Sequence, residues 1–481
     1  MRVLIENGTV VTATETQKAD VLVDDGKVSG IFSSEPGGLA DKVADAVVEM
    51  SADKRIDATN KYVIPGGIDV HTHMELPFGG TFASDSFETG TQAAAWGGTT
   101  SIIDFAVQTK GQNLMDGFEA WMGKAEGNCA IDYGFHLIVG DVNEQSIKEM
   151  DTAVADGVTS FKMFMAYPGV FYSTDGEIFL AMQKAAENGS TIMMHAENGI
   201  AIDVLIAQAL ARGETDPIYH GIVRKSVLEG EATHRAIKLA ELAGCPVYIV
   251  HLSASEALSE VTAARDFGQN AFAETCPQYL FLSLDDLGNG FEGAKFVCSP
   301  PLRDRAAGHQ EHLWKGLATN DLQVVSTDHC PFCFNEYEGL PAQKHLGEGD
   351  FSKIPNGLPG VENRMELIYQ GGVAEGRLGL NRWIEVCATT PAKMFGLYPK
   401  KGTIAVGSDA DIVVLDPNGT HTISAETHHM RTDYSCYEGL EVAGKVETVL
   451  SRGQVIIEND EYLGTAGDGE YLRRDFNQYL I

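Results

Sequence analysis

The chain has 481 residues, more than a single hydrophobic core usually holds, and its 44% apolar and 21% charged content is ordinary for a water-soluble globular protein. Its 68 acidic and 35 basic side chains leave a formal charge of −33, which argues against nucleic acid and anionic membrane surfaces as partners. No apolar run is long enough to span a bilayer, and the eight cysteines fall mostly in apolar segments, as reduced thiols of a cytoplasmic protein do.

The opening MRVLIENGTVV is too short and too acidic for a signal peptide; it reads as a first strand followed by a turn at Asn7-Gly8. TVVT and ADVLVDDGKVSGI continue the strand texture, with Asp24-Asp25-Gly26 as a hairpin turn, and VVEMSADKRIDATNKYVIPGG follows. Near the other end, GTIAVGSDADIVVLDPNGT and VETVLSRGQVIIEND have the same character. The two β-rich pieces are therefore expected to pair into one small domain that the middle of the chain interrupts.

The middle alternates apolar strand candidates with helical stretches such as DGEIFLAMQKAAENG and EGEATHRAIKLAELAG, each ending on glycine. The strand candidates are VIPGGIDVHTH, TTSIIDFA, IDYGFHLIV, VTSFKMFMAY, STIMMHAEN, CPVYIVHLS, NAFAETCP and QVVSTDHC. Continuous apolar strands alternating with helices indicate a parallel sheet covered on both faces, and this many suggest a closed (β/α)₈ barrel of the TIM type, an α/β fold. The runs finish on His71 and His73, Asp104, His136, Lys162, His195, His251, Glu274 and Asp328. A barrel of this kind carries its site at the carboxyl ends of its strands, and polar groups gathered there are the pattern of a site.

His71 and His73 are two residues apart, so on a strand both imidazoles face the same way. Singly, each histidine is best explained as a hydrogen-bonded rim residue, Lys162 as half of a buried ion pair and Asp328 as a helix cap. Together, four histidines and an aspartate at one end of the strands form a donor set suited to zinc. Lys162 fits beside a cation only as a neutral amine or as an anion, and a carbamate made from carbon dioxide would be such an anion, with two oxygens to share between two metals. Cys330-Pro331-Phe332-Cys333 is a lone CxxC without a second pair, so no separate structural metal is expected there.

At these residues the chain resembles the cyclic amidohydrolases, in their dihydropyrimidinase and D-hydantoinase branch. The motifs PGGIDVHTHMELPFGGTFASDSFETGTQAAAWGGTTSIIDFA, SFKMFMAY, MHAEN, YIVHLS, ETCPQYL, CSPPLR, STDHCPF, KIPNGLPGVENRM and KGTIAVGSDADIVVLDP occur in family order over nearly the whole length. The resemblance implies a barrel over residues 59–395, a small β-sandwich built from 1–58 and 396–460, and a C-terminal tail, 461–481, that reaches an oligomer interface in a homotetramer. It implies two Zn²⁺ per chain: one on His71, His73 and Asp328, the other on His195 and His251, bridged by carboxylated Lys162 and a hydroxide. It places substrate contacts at Tyr167, Ser299 and Asn356, with Tyr167 stabilising the oxyanion and Asp328 moving the proton. Without it, Ser299 and Asn356 read as turn residues and Tyr167 as a loop-packing aromatic.

The implied reaction opens small neutral cyclic ureides, dihydropyrimidines such as dihydrouracil or 5-monosubstituted hydantoins, to N-carbamoyl amino acids. Leu76, Phe78 and Phe171 are expected to shape the pocket for the ring substituent. Dihydroorotases typically carry an arginine two residues after the second histidine to hold a carboxylate; here Glu75 stands there, which argues against that substrate. An allantoinase is the nearer alternative. Structural relatives that have lost their metal ligands are remote, since every ligand position carries the expected residue.

Overall fold

The computed structural model describes residues 1–33 and 52–480. The strand-like VVEMS at 47–51 lies outside the described residues. The chain begins with β1 (Val3–Val11), β2 (Thr16–Asp24), β3 (Lys27–Ser33), β4 (Lys54–Asp57) and β5 (Tyr62–Pro65). It continues through β6 (Gly67–Thr72), the short hairpin β7 (Pro77–Phe78) and β8 (Thr81–Phe82), and then β9 (Thr99–Val107), β10 (Asp132–Ile138) and β11 (Ser160–Phe164). After these come β12 (Thr191–His195), β13 (Val247–Ile249), β14 (Ala271–Thr275), β15 (Val324–Val325), β16 (Ile412–Thr422), β17 (Glu441–Ser451), β18 (Gln454–Glu458) and β19 (Glu461–Tyr462).

Asn7-Gly8 is not a turn between two strands. β1 runs through it as a bulge, with Asn7 in the left-handed region at φ 62° and the pairing to β2 shifted between Ile5 and Gly8. An extra residue kinks a strand without ending it, and asparagine tolerates the required backbone. The Asp25-Gly26 hairpin does form, with both residues at positive φ, 49° and 74°; this turn matches the twist of the paired strands. Arg452-Gly453 repeats the device between β17 and β18.

The N- and C-terminal strands join one sheet in the order β19-β18-β17-β16-β5-β1-β2-β3, with β4 beside β1. Val3, Ile5, Val21, Val23, Ile412, Val414 and Leu450 share a core separate from the main one, so the sheet forms the small β-sandwich domain. The run VIPGGIDVHTH is two strands. Tyr62–Pro65 pairs with β1 and β16, and only Gly67–Thr72 enters the second sheet.

That second sheet is parallel and runs β15-β14-β13-β12-β11-β10-β9-β6, with helices between its strands. β9 and β10 are buried at every residue, as strands covered on both faces must be. The barrel closes between β6 and the segment after β15: Thr72 bridges His329, and the His73 amide donates to the His329 carbonyl at 2.9 Å. This architecture is a (β/α)₈ barrel.

The barrel and the sandwich meet on a buried ammonium. Lys401 lies 2.6 Å from Asp411 and 3.1 Å from Asp409, and also bonds Asp132 at the start of β10. The three carboxylates hold its proton more tightly than in ordinary lysine despite its burial. The tail lies along its own barrel: the Tyr133 amide donates to the Glu470 carbonyl, Leu472 returns to Tyr133, and the Arg474 amide reaches the Gly157 carbonyl. Removing one partner of a buried ion cluster strands the others without solvent. Lys401→Met should therefore cost about 3–5 kcal/mol. The check is the unfolding midpoint in denaturant; an unshifted midpoint would show that the cluster holds nothing together.

Candidate metal centre and ring-binding pocket

β6 carries His71 and ends at Thr72, one residue before His73, yet both rings point into the barrel mouth with their Nε2 atoms 3.2 Å apart. Lys162 Nζ, from the middle of β11, lies 3.0 Å from His71 Nε2. Asp328 Oδ1 stands 3.1 Å from His71 Nε2 and 3.2 Å from His73 Nε2. His195 closes β12, and its ring centre is 4.5 Å from that of His251, which follows β13. His71, His251 and Asp328 alone offer three ligand atoms within 4.8 Å of one another.

Burial tunes these groups toward neutral nitrogen donors around one carboxylate. It lowers His73 to about 3, takes His251 well below the ordinary histidine value, and lowers His195 against the pull of Glu197. It also lowers the Lys162 ammonium to about 8, although Asp328 and Glu274 oppose it. Burial alone would raise Asp328, but the charge of His71 and hydrogen bonds from His71 and His73 hold it well below the usual carboxylate range. His71 moves upward: burial and Lys162 lower it, and Glu274 and Asp328 outweigh them. A position where carboxylates favour a proton also favours a metal cation.

The donor set fits a pair of divalent ions. Two imidazole nitrogens, the Lys162 nitrogen and a carboxylate oxygen converge at hydrogen-bond distance, and the buried Nδ1 of His251 has no partner among the described residues. Buried polar atoms are normally satisfied, so this arrangement is one that cations relieve.

The remaining candidates line the same pocket. Tyr167, Ser299 and Asn356 form one wall; Asn356 Nδ2 donates to Ser299 Oγ at 3.0 Å, and the Tyr167 phenol faces both. Burial raises that phenol to about 12, so it remains a donor. Leu76, Phe78 and Phe171 form an apolar mouth, with Phe78 stacked parallel to Phe171 and edge-on to Tyr167. Tyr167, His251 and Asp328 all sit at positive φ, 62°, 41° and 53°. Non-glycine residues held there cost of order 1–3 kcal/mol each, a strain concentrated at functional sites.

Further residues act behind this wall. Glu274, the penultimate residue of β14, accepts from His71 Nδ1, from the Tyr248 hydroxyl at 2.9 Å and from the His251 amide at 3.2 Å. Glu197 takes His195 Nε2 at 2.8 Å and is itself paired with Arg224 at 3.0 Å. The sequence shows Glu274 at a strand end without showing what it faces. Glu197 lies two residues after His195, a spacing that signals a shared side only in hindsight of the turn. Asp104 binds the Thr72 hydroxyl, the Met74 amide and Trp121 Nε1, pinning the turn after His73. His136 points inside the barrel, onto Ser160 and the Val70 carbonyl. Glu75 lies 3.9 Å from Lys124 and outside the pocket lining, so it does not face the pocket as its position in the motif suggested.

Residues 62–456 match the model of the amidohydrolase family. The chain is 63% identical over 480 residues to a D-hydantoinase of Streptomyces coelicolor, covering 100% of this chain and 99% of that protein. Among solved structures it resembles the dihydropyrimidinase of Brevibacillus agri, at 48% identity and a TM-score of 0.93, with 99% of each chain covered. It also resembles the L-hydantoinase of Arthrobacter aurescens, at 31% identity and a TM-score of 0.84, covering 98% of this chain and 99% of that one.

A carboxylate behind a ligating histidine fixes the tautomer and orientation of the ring. Glu274→Gln should therefore weaken metal binding by about 10–100-fold in chelator competition. Unchanged affinity would show that His71 is oriented without Glu274.

Proposed function

This chain belongs to the amidohydrolase family, and on that premise we propose that it hydrolyses the ring amide of cyclic ureides, dihydropyrimidines such as dihydrouracil and 5-monosubstituted hydantoins, giving N-carbamoyl amino acids. The observation that carries this reading is the meeting, in one pocket, of His73, His195, His251, Lys162 and Asp328, with His71 buried against Asp328 and Lys162, beside a polar wall and an apolar aromatic mouth. A cyclic ureide has the matching halves: a flat ring of amide donors and acceptors, and a carbon substituent. Relatives named D-hydantoinase or D-phenylhydantoinase, from 40% to 63% identical, support preference for the D configuration at that carbon.

His71, His73 and Asp328 would hold one Zn²⁺ and His195 and His251 the other, with carboxylated Lys162 as a further anionic ligand. When bound, the pair supplies hydroxide near neutral pH and polarises the ring carbonyl. The protein's own groups do the rest. Ser299 and Asn356 hold the ureide ring so that the carbonyl beside the imide nitrogen faces the metal side. The Tyr167 hydroxyl donates to the oxygen as negative charge develops there, an interaction strongest in the transition state. Asp328 Oδ accepts the proton of the attacking hydroxide and passes it to the ring nitrogen as the C–N bond breaks, leaving a carboxylate and a ureido group. Leu76, Phe78 and Phe171 exclude water and receive the substituent. Because such an apolar pocket separates neighbouring ring sizes by only ~1–3 kcal/mol, overlapping activity on both substrate types is expected.

The reading extends to a homotetramer in the cytoplasm; no helix among the described residues is long and apolar enough to cross a membrane. The deciding experiment measures initial ring-opening rates of the zinc-loaded protein on dihydrouracil, a 5-monosubstituted hydantoin and allantoin. Turnover of either of the first two with allantoin untouched is the expected result, and Asp328→Asn should reduce it by about a thousandfold or more. Activity on allantoin alone would move the assignment to the allantoinase branch.

Carboxylation requires the neutral amine of Lys162, whose ammonium burial lowers to about 8. In metal-free protein at fixed dissolved carbon dioxide, the rate of carbamate formation, followed by NMR with labelled carbon, should rise about tenfold per pH unit below that value and level off above it. A rate independent of pH below 8 would remove Lys162 as the reacting amine.

A further inference from the structure

Lys344 is fully buried, yet no carboxylate pairs with it among the described residues. Its Nζ donates to three backbone carbonyls: Pro355 at 2.8 Å, Gly357 at 2.9 Å and Val297 at 3.3 Å. Burial lowers its ammonium to about 8. An uncompensated charge in a dry interior is costly, and such groups persist where they set a site's geometry.

The three carbonyls belong to the two loops that carry the ring-binding residues. Pro355 and Gly357 flank Asn356, and Val297 lies two residues before Ser299. The Gly357 amide also donates to Val297 at 2.9 Å, and Asn356 reaches Ser299 at 3.0 Å. Gly357 is tightly constrained, at φ 153°, and a Cβ there would come within 2.2 Å of the Cys330 carbonyl. The two loops therefore meet edge to edge, and one side chain with three donors and no acceptor joins them from behind.

We propose that Lys344 is a positioning residue for ring recognition: its ammonium locks the Ser299 and Asn356 loops together, so that their side chains meet the ureide in a single geometry. This inference rests on the ureide-hydrolase reading above. Lys344 does not line the pocket and takes no part in the chemistry. Its removal should weaken ring binding while leaving the metal centre loaded.

The test compares the full-length zinc-loaded wild type with Lys344→Met, Lys344→Gln, Asn356→Ala and the Lys344→Met/Asn356→Ala double variant, measuring kcat, KM, metal content and melting temperature. Lys344→Met should raise KM by about tenfold or more with a smaller change in kcat and full metal content. Lys344→Gln, which keeps two donors, should fall between Lys344→Met and the wild type. Because Lys344 acts through Asn356 and its neighbour, the double variant should be within about twofold of Asn356→Ala alone. An unchanged KM in Lys344→Met, full multiplication of the two effects, or loss of soluble or metallated protein in both Lys344 variants would each overturn the proposal. A wild type without turnover of any cyclic ureide would instead sink the reading on which it rests.

Discussion

The site depends on how the barrel closes. Asp69, fully buried on β6, accepts from the Thr327 amide and hydroxyl and from the His71 amide, while His329 accepts from His73. Those bonds join the first barrel strand to the segment after the last, and Asp328 is held between them. The two histidines and the carboxylate assigned to one metal thus come from opposite ends of the barrel's sequence but from the two sides of one seam. The cost of burying Asp69, which raises its carboxyl, is offset in part by Arg364, 3.9 Å away, and by Thr327.

Around that seam the charges are arranged in layers. Facing the pocket are His73, His195 and His251, which burial biases toward the neutral form, with Lys162 and a single carboxylate among them and His71, drawn upward by Glu274 and Asp328, beneath. Behind them Glu274 grips His71, and Glu197 grips His195 and is itself gripped by Arg224. The outer carboxylates orient the rings and favour positive charge at the centre, so a chain bearing −33 overall builds a cation site without exposing an acidic surface there. The opposite wall is built differently. The loops carrying Ser299 and Asn356 are joined by the Gly357–Val297 backbone bond and by the Lys344 ammonium, the setting proposed above for recognition of the ring.

Much of this was legible in the order of residues. A strand covered on both faces has to be continuously apolar, so β9 to β14 announce themselves, and a polar residue within or at the end of such a strand stands out against its cost. That is why His71, His195 and Lys162 were recoverable as candidates, and why motif order carried the family. Asn7-Gly8 misled because a bulge and a turn use the same residues; only the pairing of β1 with β2 on both sides of it separates them. VIPGGIDVHTH misled because a buried apolar run does not reveal where the chain passes from one sheet to another.

The sequence by itself determined the alternation of strand and helix, the donor types at the strand ends and the chemistry those donors favour. These are properties of single residues and short periodic patterns, and they survive being read one segment at a time. Tertiary structure alone decided which donors meet, that Glu274 and Glu197 stand behind the histidines, that Glu75 turns away, and that Lys344 is buried beneath two loops. Most of those facts join residues tens to hundreds of positions apart, and Glu197, only two residues from His195, is placed by the turn after β12. Their proximity is set by barrel closure and loop packing, which no local pattern of side chains encodes.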